Sequence, residues 1–154
     1  MTSAGMDRID RTIEIQAPPE RVWRALTTAE ELAAWFRVTI EGAIAPGREV
    51  WMTSASPEHH GVRFRVRFVE MTAPRRFVWQ WNPGAVDPKI DYSKEPRTTV
   101  TFTLEPTPAG TRLTVSETGF DQVALERRAK VYKDNSQGWA EVTVWLERYV
   151  EAAK

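Results

Sequence analysis

Apolar and polar residues alternate with a period of two through most of the chain between residues 38 and 118. The clearest stretch places Val62, Phe64 and Val66 on one parity and three arginines on the other. Such alternation is typical of β-strands that bury one face, and turn segments rich in Pro and Gly divide the run into six strands. Consecutive strands of this kind predict an antiparallel sheet with one apolar face, which needs a cover.

The segments on either side of this run predict one further strand and three helices. Residues 9–15 alternate in the same way, and residues 17–20 contain the prolines and the acidic residue typical of a first helical turn. Residues 28–31 fit a capping box, so a second short helix is expected there. From Ser136 onward, apolar residues recur at helical spacing. The order β-α-α-β6-α predicts an α+β fold, a curved seven-stranded antiparallel sheet wrapped around a long C-terminal helix, with two short helices.

Length and composition narrow the class of protein. The 154 residues suit one domain, residues 8–154, after a flexible tail of residues 1–7. Basic and acidic residues number 21 each, which argues against nucleic-acid binding through bulk charge. Cysteine is absent, so disulfides and thiolate nucleophiles are excluded. No stretch is long and apolar enough for a membrane span, and we expect a cytoplasmic monomer or homodimer with no membrane partner.

Aromatic residues are abundant, and seven of them are tryptophans. Those on inward strand or helix faces, or at their edges, would either fill the core or line a cavity between the sheet and the last helix. We expect the set as a whole to line a ligand cavity, because rings offer broad, rigid apolar contact. The candidate ligand-binding rings are Trp35, Trp51, Phe64, Trp79, Trp81, Phe102, Phe120 and Trp139. Trp23 and Trp145 are expected to be packing residues of their helices.

Two charged residues, Arg11 and Glu117, lie on the apolar parity of the first and last strands. Burying either charge alone costs several kcal/mol, so the two are expected to need each other. They are candidate ligand-binding residues, as a polar anchor or an acid/base pair inside the cavity. The alternatives are a structural ion pair at a strand end and a change of parity at a bulge.

Other chemical signals are weak. His59 and His60 are adjacent, an arrangement that disfavours chelation of one metal, so no metal site is predicted; one of them is expected at the cavity rim. Motifs of serine hydrolases, zinc peptidases and nucleotide-binding loops are missing, so no catalytic residue and no cofactor are assigned. Arg63, Arg65 and Arg67 form a stripe on the outer face, either an ordinary solvated surface paired with Glu or a protein-docking surface.

Several strings along nearly the whole chain resemble the SRPBCC (START-like) superfamily, and within it the group named after the C-terminal domain of the activator of the ninety-kilodalton heat-shock protein's ATPase. The strings occur in the order of the family. They are IEIQAPPERVW (13–23), LAAWF (32–36), FVWQW (77–81), GTRLTV (110–115), ETGF (117–120) and GW (138–139).

The resemblance implies a helix-grip fold and leaves three functions open. The first is binding of a small hydrophobic or aromatic molecule in an internal cavity, and the second is a chaperone cofactor in a stress response. The third is an enzyme of polyketide cyclase, aromatase or hydrolase type. Two departures from the group are expected: this chain would lack the separate N-terminal domain, and its connection at residues 82–97 would be longer and act as a lid.

Overall fold

A seven-stranded antiparallel sheet organises the chain in the computed structural model, which describes residues 7–85, 87 and 89–152. The strands are β1 (Arg8–Ile15), β2 (Val38–Glu41), β3 (Glu49–Ser54), β4 (Arg63–Thr72), β5 (Arg76–Trp81), β6 (Thr98–Thr107) and β7 (Gly110–Thr118). The helices are α1 (Pro19–Thr27), α2 (Ala29–Phe36) and α3 (Leu125–Ala152). This order and the helix-grip architecture confirm the prediction from alternation and helical spacing.

The sheet runs in the order β1-β7-β6-β5-β4-β3-β2, so β2 to β7 are successive antiparallel neighbours. The first strand instead crosses over and pairs with the last one, with Ile9 opposite Glu117 and Ile13 opposite Leu113. Buried residues alternate along β6 and β7, which gives the sheet one face packed on the core.

The long helix α3 covers that face. Its 28 residues span about 42 Å at the usual rise per residue. It is continuous from Leu125, although helical spacing in the sequence becomes clear only from Ser136. The reason is that the first turns are half exposed and charged, while Trp139, Leu146 and Val150 in the later turns are buried.

The short helix α2 begins where predicted but without the predicted capping box. The Thr28 side chain makes no capping hydrogen bond. The Glu31 carboxylate instead accepts hydrogen bonds from Arg21 in α1 (2.7 Å) and from the Tyr149 hydroxyl in α3 (3.0 Å). Glu31 therefore ties α2 to both other helices.

Two predicted segments fall partly outside the described residues. The flexible tail, residues 1–7, lies outside them except for Asp7, whose carbonyl accepts a hydrogen bond from the Phe120 N–H (3.4 Å). In the connection of residues 82–97, positions 86 and 88 are not described. Within the described part of the chain, no helix is long and apolar enough to cross a membrane.

Candidate functional site

The carboxyl group of Glu117, near the end of β7, is fully buried between the sheet and α3. Its Oε2 accepts hydrogen bonds from Trp81 Nε1 (2.8 Å) and Thr98 Oγ1 (2.5 Å). Its Oε1 accepts one from Trp139 Nε1 (2.8 Å), and Asn135 Nδ2 lies 3.0 and 3.1 Å from the two oxygens. Both carboxyl oxygens are therefore satisfied, which a buried polar group requires.

The four donor residues come from β5, β6 and α3, and all of them are neutral. An indole N–H can only donate, so each tryptophan bonded to Glu117 has a single orientation that satisfies this bond. Register explains the meeting: Glu117 is opposite Val100 on β6, which in turn is opposite Trp79 on β5, two residues before Trp81. The carboxyl group thus fixes the rings of Trp81 and Trp139 side by side, with centroids 5.8 Å apart.

Arg11 does not take part in this arrangement. Its half-buried guanidinium donates through Nη2 to Ser136 Oγ (2.9 Å) and to the Ser136 carbonyl (3.3 Å), while its Nε is buried without a partner. The expected ion pair of Arg11 with Glu117 is absent between these two described residues. The strand register gives one reason: Arg11 is opposite Val115, which is two residues before Glu117 on the same face of β7. The other reason is that neutral donors already occupy both oxygens of Glu117.

A cleft of about 630 Å³ lies between α3 and the neighbouring ends of β4 and β5. An adjoining lobe of about 500 Å³ shares several lining residues with it, Trp81 and Gly138 among them. The apolar wall of the cleft includes Phe36, Phe64, Trp81, Pro83, Val142 and Trp145. The charged residues of its lining are Arg37, Glu58, Lys130, Asp134 and Glu141. The arrangement offers an apolar interior with polar groups around it.

Ring contacts order the apolar wall. Phe36, at the end of α2, stacks on Trp81 (centroids 6.4 Å apart, 24° between planes) and on Trp139 (6.5 Å, 14°). Phe64 meets Trp81 edge to face at 5.9 Å. Because Trp81 and Trp139 are also bonded to Glu117, these two rings are held both at their faces and at their N–H edges.

The structure divides the eight candidate rings into three groups. Trp35, Trp79, Phe102 and Phe120 are 0–2% exposed core residues, and Trp35 donates its N–H to the Ala25 carbonyl at 2.8 Å. Trp51 lies on the outer face, 36% exposed, with the Arg63 guanidinium 4.0 Å from its ring centroid. Phe64, Trp81 and Trp139 line the cleft or its lobe, and their contact with a ligand stays a prediction.

The cleft residues that sequence reasoning missed include Phe36, Arg37, Asn135 and Trp145. Trp145, expected to be a packing residue, lines the cleft, and the Arg37 guanidinium lies 3.9 Å from its ring centroid. The signal was present in the spacing of Gly138, Val142 and Trp145, which recur on one helix face. Arg37 carried no such signal, because it lies in the junction between α2 and β2.

The remaining polar candidates take different places. His59 lines the cleft and His60 does not, and the described residues contain no cluster suited to a metal ion. Arg63 and Arg65 of the outer stripe lie 3.5 and 3.6 Å from Glu41 and Glu49, as an ordinary paired surface would.

The connection after β5 is attached to α3. Arg127 donates to the Pro83 carbonyl at 2.9 Å, and its other terminal nitrogen lies 3.4 Å from Glu95. Gly84 has φ +67°, and a Cβ there would lie 2.8 Å from a Val131 methyl group. This close approach places the start of the loop along one side of the cleft, and its action as a lid stays a prediction.

Comparison with known proteins gives the family. Residues 16–151 match the family described as activator of Hsp90 ATPase homolog 1-like protein. The chain belongs to this family. The resemblance of its sequence strings is thereby confirmed, and comparison with curated proteins gave no match.

Solved structures share the fold of this chain. Protein MLL2253 from Mesorhizobium loti is 24% identical with a TM-score of 0.76, and the alignment covers 96% of this chain and 98% of that one. The Aha1 dimer from Colwellia psychrerythraea is 21% identical with a TM-score of 0.70, covering 96% and 98%. DynU16, from the dynemicin biosynthetic locus, is 21% identical with a TM-score of 0.72, covering 96% of this chain and 48% of that one. At these identities the likeness establishes the fold alone.

Proposed function

We propose that this protein binds a small apolar or amphipathic molecule in the cleft between α3 and the sheet. The observation that carries the proposal is the pair of cleft-lining indoles, Trp81 and Trp139, bonded to one buried carboxyl group. A buried carboxyl group is costly, and an apolar side chain of similar volume would build a simpler core. The presence of Glu117 therefore supports the view that the two indole rings must keep a fixed orientation beside the cleft.

The dimensions and lining of the cleft support the same function. Its volume of about 630 Å³ is within the range of small-molecule sites. Stacked rings supply apolar contact, while His59 and Asn135 in the lining could orient a polar end of the ligand. Glu117 is fully buried, so in this proposal it positions the rings without touching the ligand.

The test combines a ligand screen with a variant that fills the cleft. Thermal shift and native mass spectrometry would screen medium-chain fatty acids, flavonoids and aromatic polyketides. Gly138 lies in α3 on the cleft lining, and a Cβ built there meets no atom within 4 Å. Gly138→Leu is therefore expected to fold, to occupy the cleft and to abolish binding.

Gly138→Ala is the matched control. It should gain about 0.5–1 kcal/mol of stability from helix propensity and keep its ligand, since a methyl group occupies little of the cleft. The proposal is wrong if no compound of the panel binds the wild type, or if Gly138→Leu binds as tightly as Gly138→Ala.

A second candidate function is that of a chaperone cofactor acting on a heat-shock ATPase. Its support is the family match over residues 16–151, since the family is named after such an activator. Pull-down and ATPase assays with the Hsp90-type chaperone of the same cell test it, and absence of both binding and stimulation removes it.

The Colwellia relative is described as a dimer. A homodimer is therefore part of this proposal, and light scattering on eluting protein measures it.

A further inference from the structure

Arg37 occupies a backbone position that favours glycine. It follows α2 with φ 58° and ψ 55°, in the left-handed region. Its N–H donates to the Ala33 carbonyl, and its own carbonyl accepts from the Ala55 N–H at 2.8 Å. These bonds hold the backbone in that region, so a long side chain is kept where glycine would be free of strain.

The Arg37 side chain is placed by a ring and by no polar group. Its guanidinium lies 3.9 Å from the ring centroid of Trp145, and both side chains line the cleft. It forms no hydrogen bond or ion pair with any residue that the structure describes. The other lysine and arginine of the cleft and its lobe are engaged: Lys130 lies 2.8 Å from Asp134, and Arg127 bonds to the loop after β5.

Two carboxylates share the lining of the cleft without an ion pair to described residues. Glu58 and Glu141 are both exposed, and neither makes a hydrogen bond with a described residue. Arg37 differs from them because stacking on Trp145 orders its guanidinium before a ligand arrives. A planar guanidinium with free N–H groups matches carboxylate, sulfonate or phosphate oxygens in pairs.

We propose that Arg37 binds the anionic group of the molecule held in the cleft, and that the ligands are organic anions with a flat apolar body. This inference rests on the proposed binding function. The apolar body would lie against Phe36 and Trp81, and the anionic group would meet the guanidinium at Trp145. Among the described cationic side chains of the cleft, Arg37 is the one left free for this contact.

The test compares two dyes of nearly equal shape, one anionic and one neutral. They are 1-anilinonaphthalene-8-sulfonate and N-phenyl-1-naphthylamine, which lacks the sulfonate. Fluorescence titration gives the Kd of each. The wild type should bind the anionic dye about five- to tenfold more tightly than the neutral dye, and added salt should weaken only the former.

Arg37→Gln should weaken the anionic dye about five- to tenfold and change the neutral dye by less than about twofold. Arg37→Gly gives a second variant that suits the left-handed backbone, so loss of binding in it is not a failure to fold. Arg75→Gln, in the turn between β4 and β5, removes the same charge far from the cleft and should leave both affinities unchanged.

Each other result overturns the inference. If Arg37→Gln leaves the anionic dye unaffected while both dyes still bind, the Arg37 contact is wrong and the binding function stands. If Arg63→Gln weakens the anionic dye instead, the dye binds on the outer face. Tighter binding of the cationic dye auramine O would assign the cleft to Glu58 and Glu141. If neither dye binds, the cleft does not take flat aromatic molecules of this kind and the inference is wrong.

Discussion

Replacing Glu117 with glutamine changes the centre of the site by one acceptor oxygen. The carboxyl group accepts from donors on both oxygens, whereas the glutamine amide has one acceptor and one NH2 donor. If the amide oxygen replaces Oε2, it keeps Trp81 and Thr98, and the NH2 group faces the N–H of Trp139. In the reverse orientation, the NH2 group faces the N–H of Trp81.

Neighbouring groups relieve only part of this conflict. Asn135 can turn its amide and the Thr98 hydroxyl can rotate, so each can accept from the new NH2 group. An indole N–H cannot accept, and one of the two tryptophans therefore loses its partner in either orientation. An unsatisfied buried donor costs about 1–3 kcal/mol, so we expect Glu117→Gln to lose that much unfolding free energy. The freed ring should also weaken ligand binding in the cleft.

Urea unfolding followed by far-ultraviolet circular dichroism measures this loss without depending on tryptophan emission. Glu105→Gln is the matched control, because Glu105 is an exposed β6 residue and its substitution should stay within about 0.5 kcal/mol of the wild type. The reasoning is refuted if Glu117→Gln is as stable as Glu105→Gln, since the indole bonds would then contribute nothing to the fold.

Two further predictions concern the elements around the cleft. Burial is the largest single influence on Glu31 and would raise its pKa, but hydrogen bonds from Arg21 and Tyr149, together with the charges of Arg21 and Arg24, outweigh it and lower that pKa below its ordinary value of 4.5. The ionised Glu31 carboxylate therefore stabilises the folded state above about pH 4.5, and this contribution is lost as the pH falls through the lowered pKa. Between about pH 5 and 3, the unfolding free energy of the wild type should drop more than that of Glu31→Gln. Gly84→Ala should lose about 1–2 kcal/mol of unfolding free energy because its backbone is left-handed, and a further amount because the new methyl group contacts Val131. Gly47→Ala is the control: Gly47 has φ +83° but open space around it, so this variant should show the backbone cost alone in the same unfolding assay.

The strand and helix order could be read from the sequence because the periods of two and 3.6 are local properties. Ring positions could be read only in part. Trp79 and Trp81 share a parity, yet one is in the core and the other lines the cleft, because only the course of α3 decides which part of the sheet is covered. Trp51 is predicted at the cleft, whereas the alternation with buried Val50 and Met52 puts it on the outer face, and its contact with a ligand stays a prediction.

The contacts of the candidate site could not be read from the sequence. Glu117 was recognised as an inward carboxylate, but its partners come from three elements far apart in the chain, and only the register and the path of α3 bring them together. Arg11 illustrates the same limit. Arg11 and Glu117 lie on adjacent strands, as predicted, but Arg11 is opposite Val115 and not opposite Glu117, so their side chains do not meet.

The central claim, that the rings held by Glu117 contact the ligand, is tested most directly by two-dimensional nitrogen–proton NMR of the indole groups. Each Trp gives one signal, assigned by Trp→Phe substitution, during titration with 1-anilinonaphthalene-8-sulfonate. The signals of Trp81 and Trp139 should shift and saturate together, while that of Trp35, bonded to Ala25 in the core, stays in place. Saturable shifts confined to Trp51, or none at any tryptophan, would contradict the account.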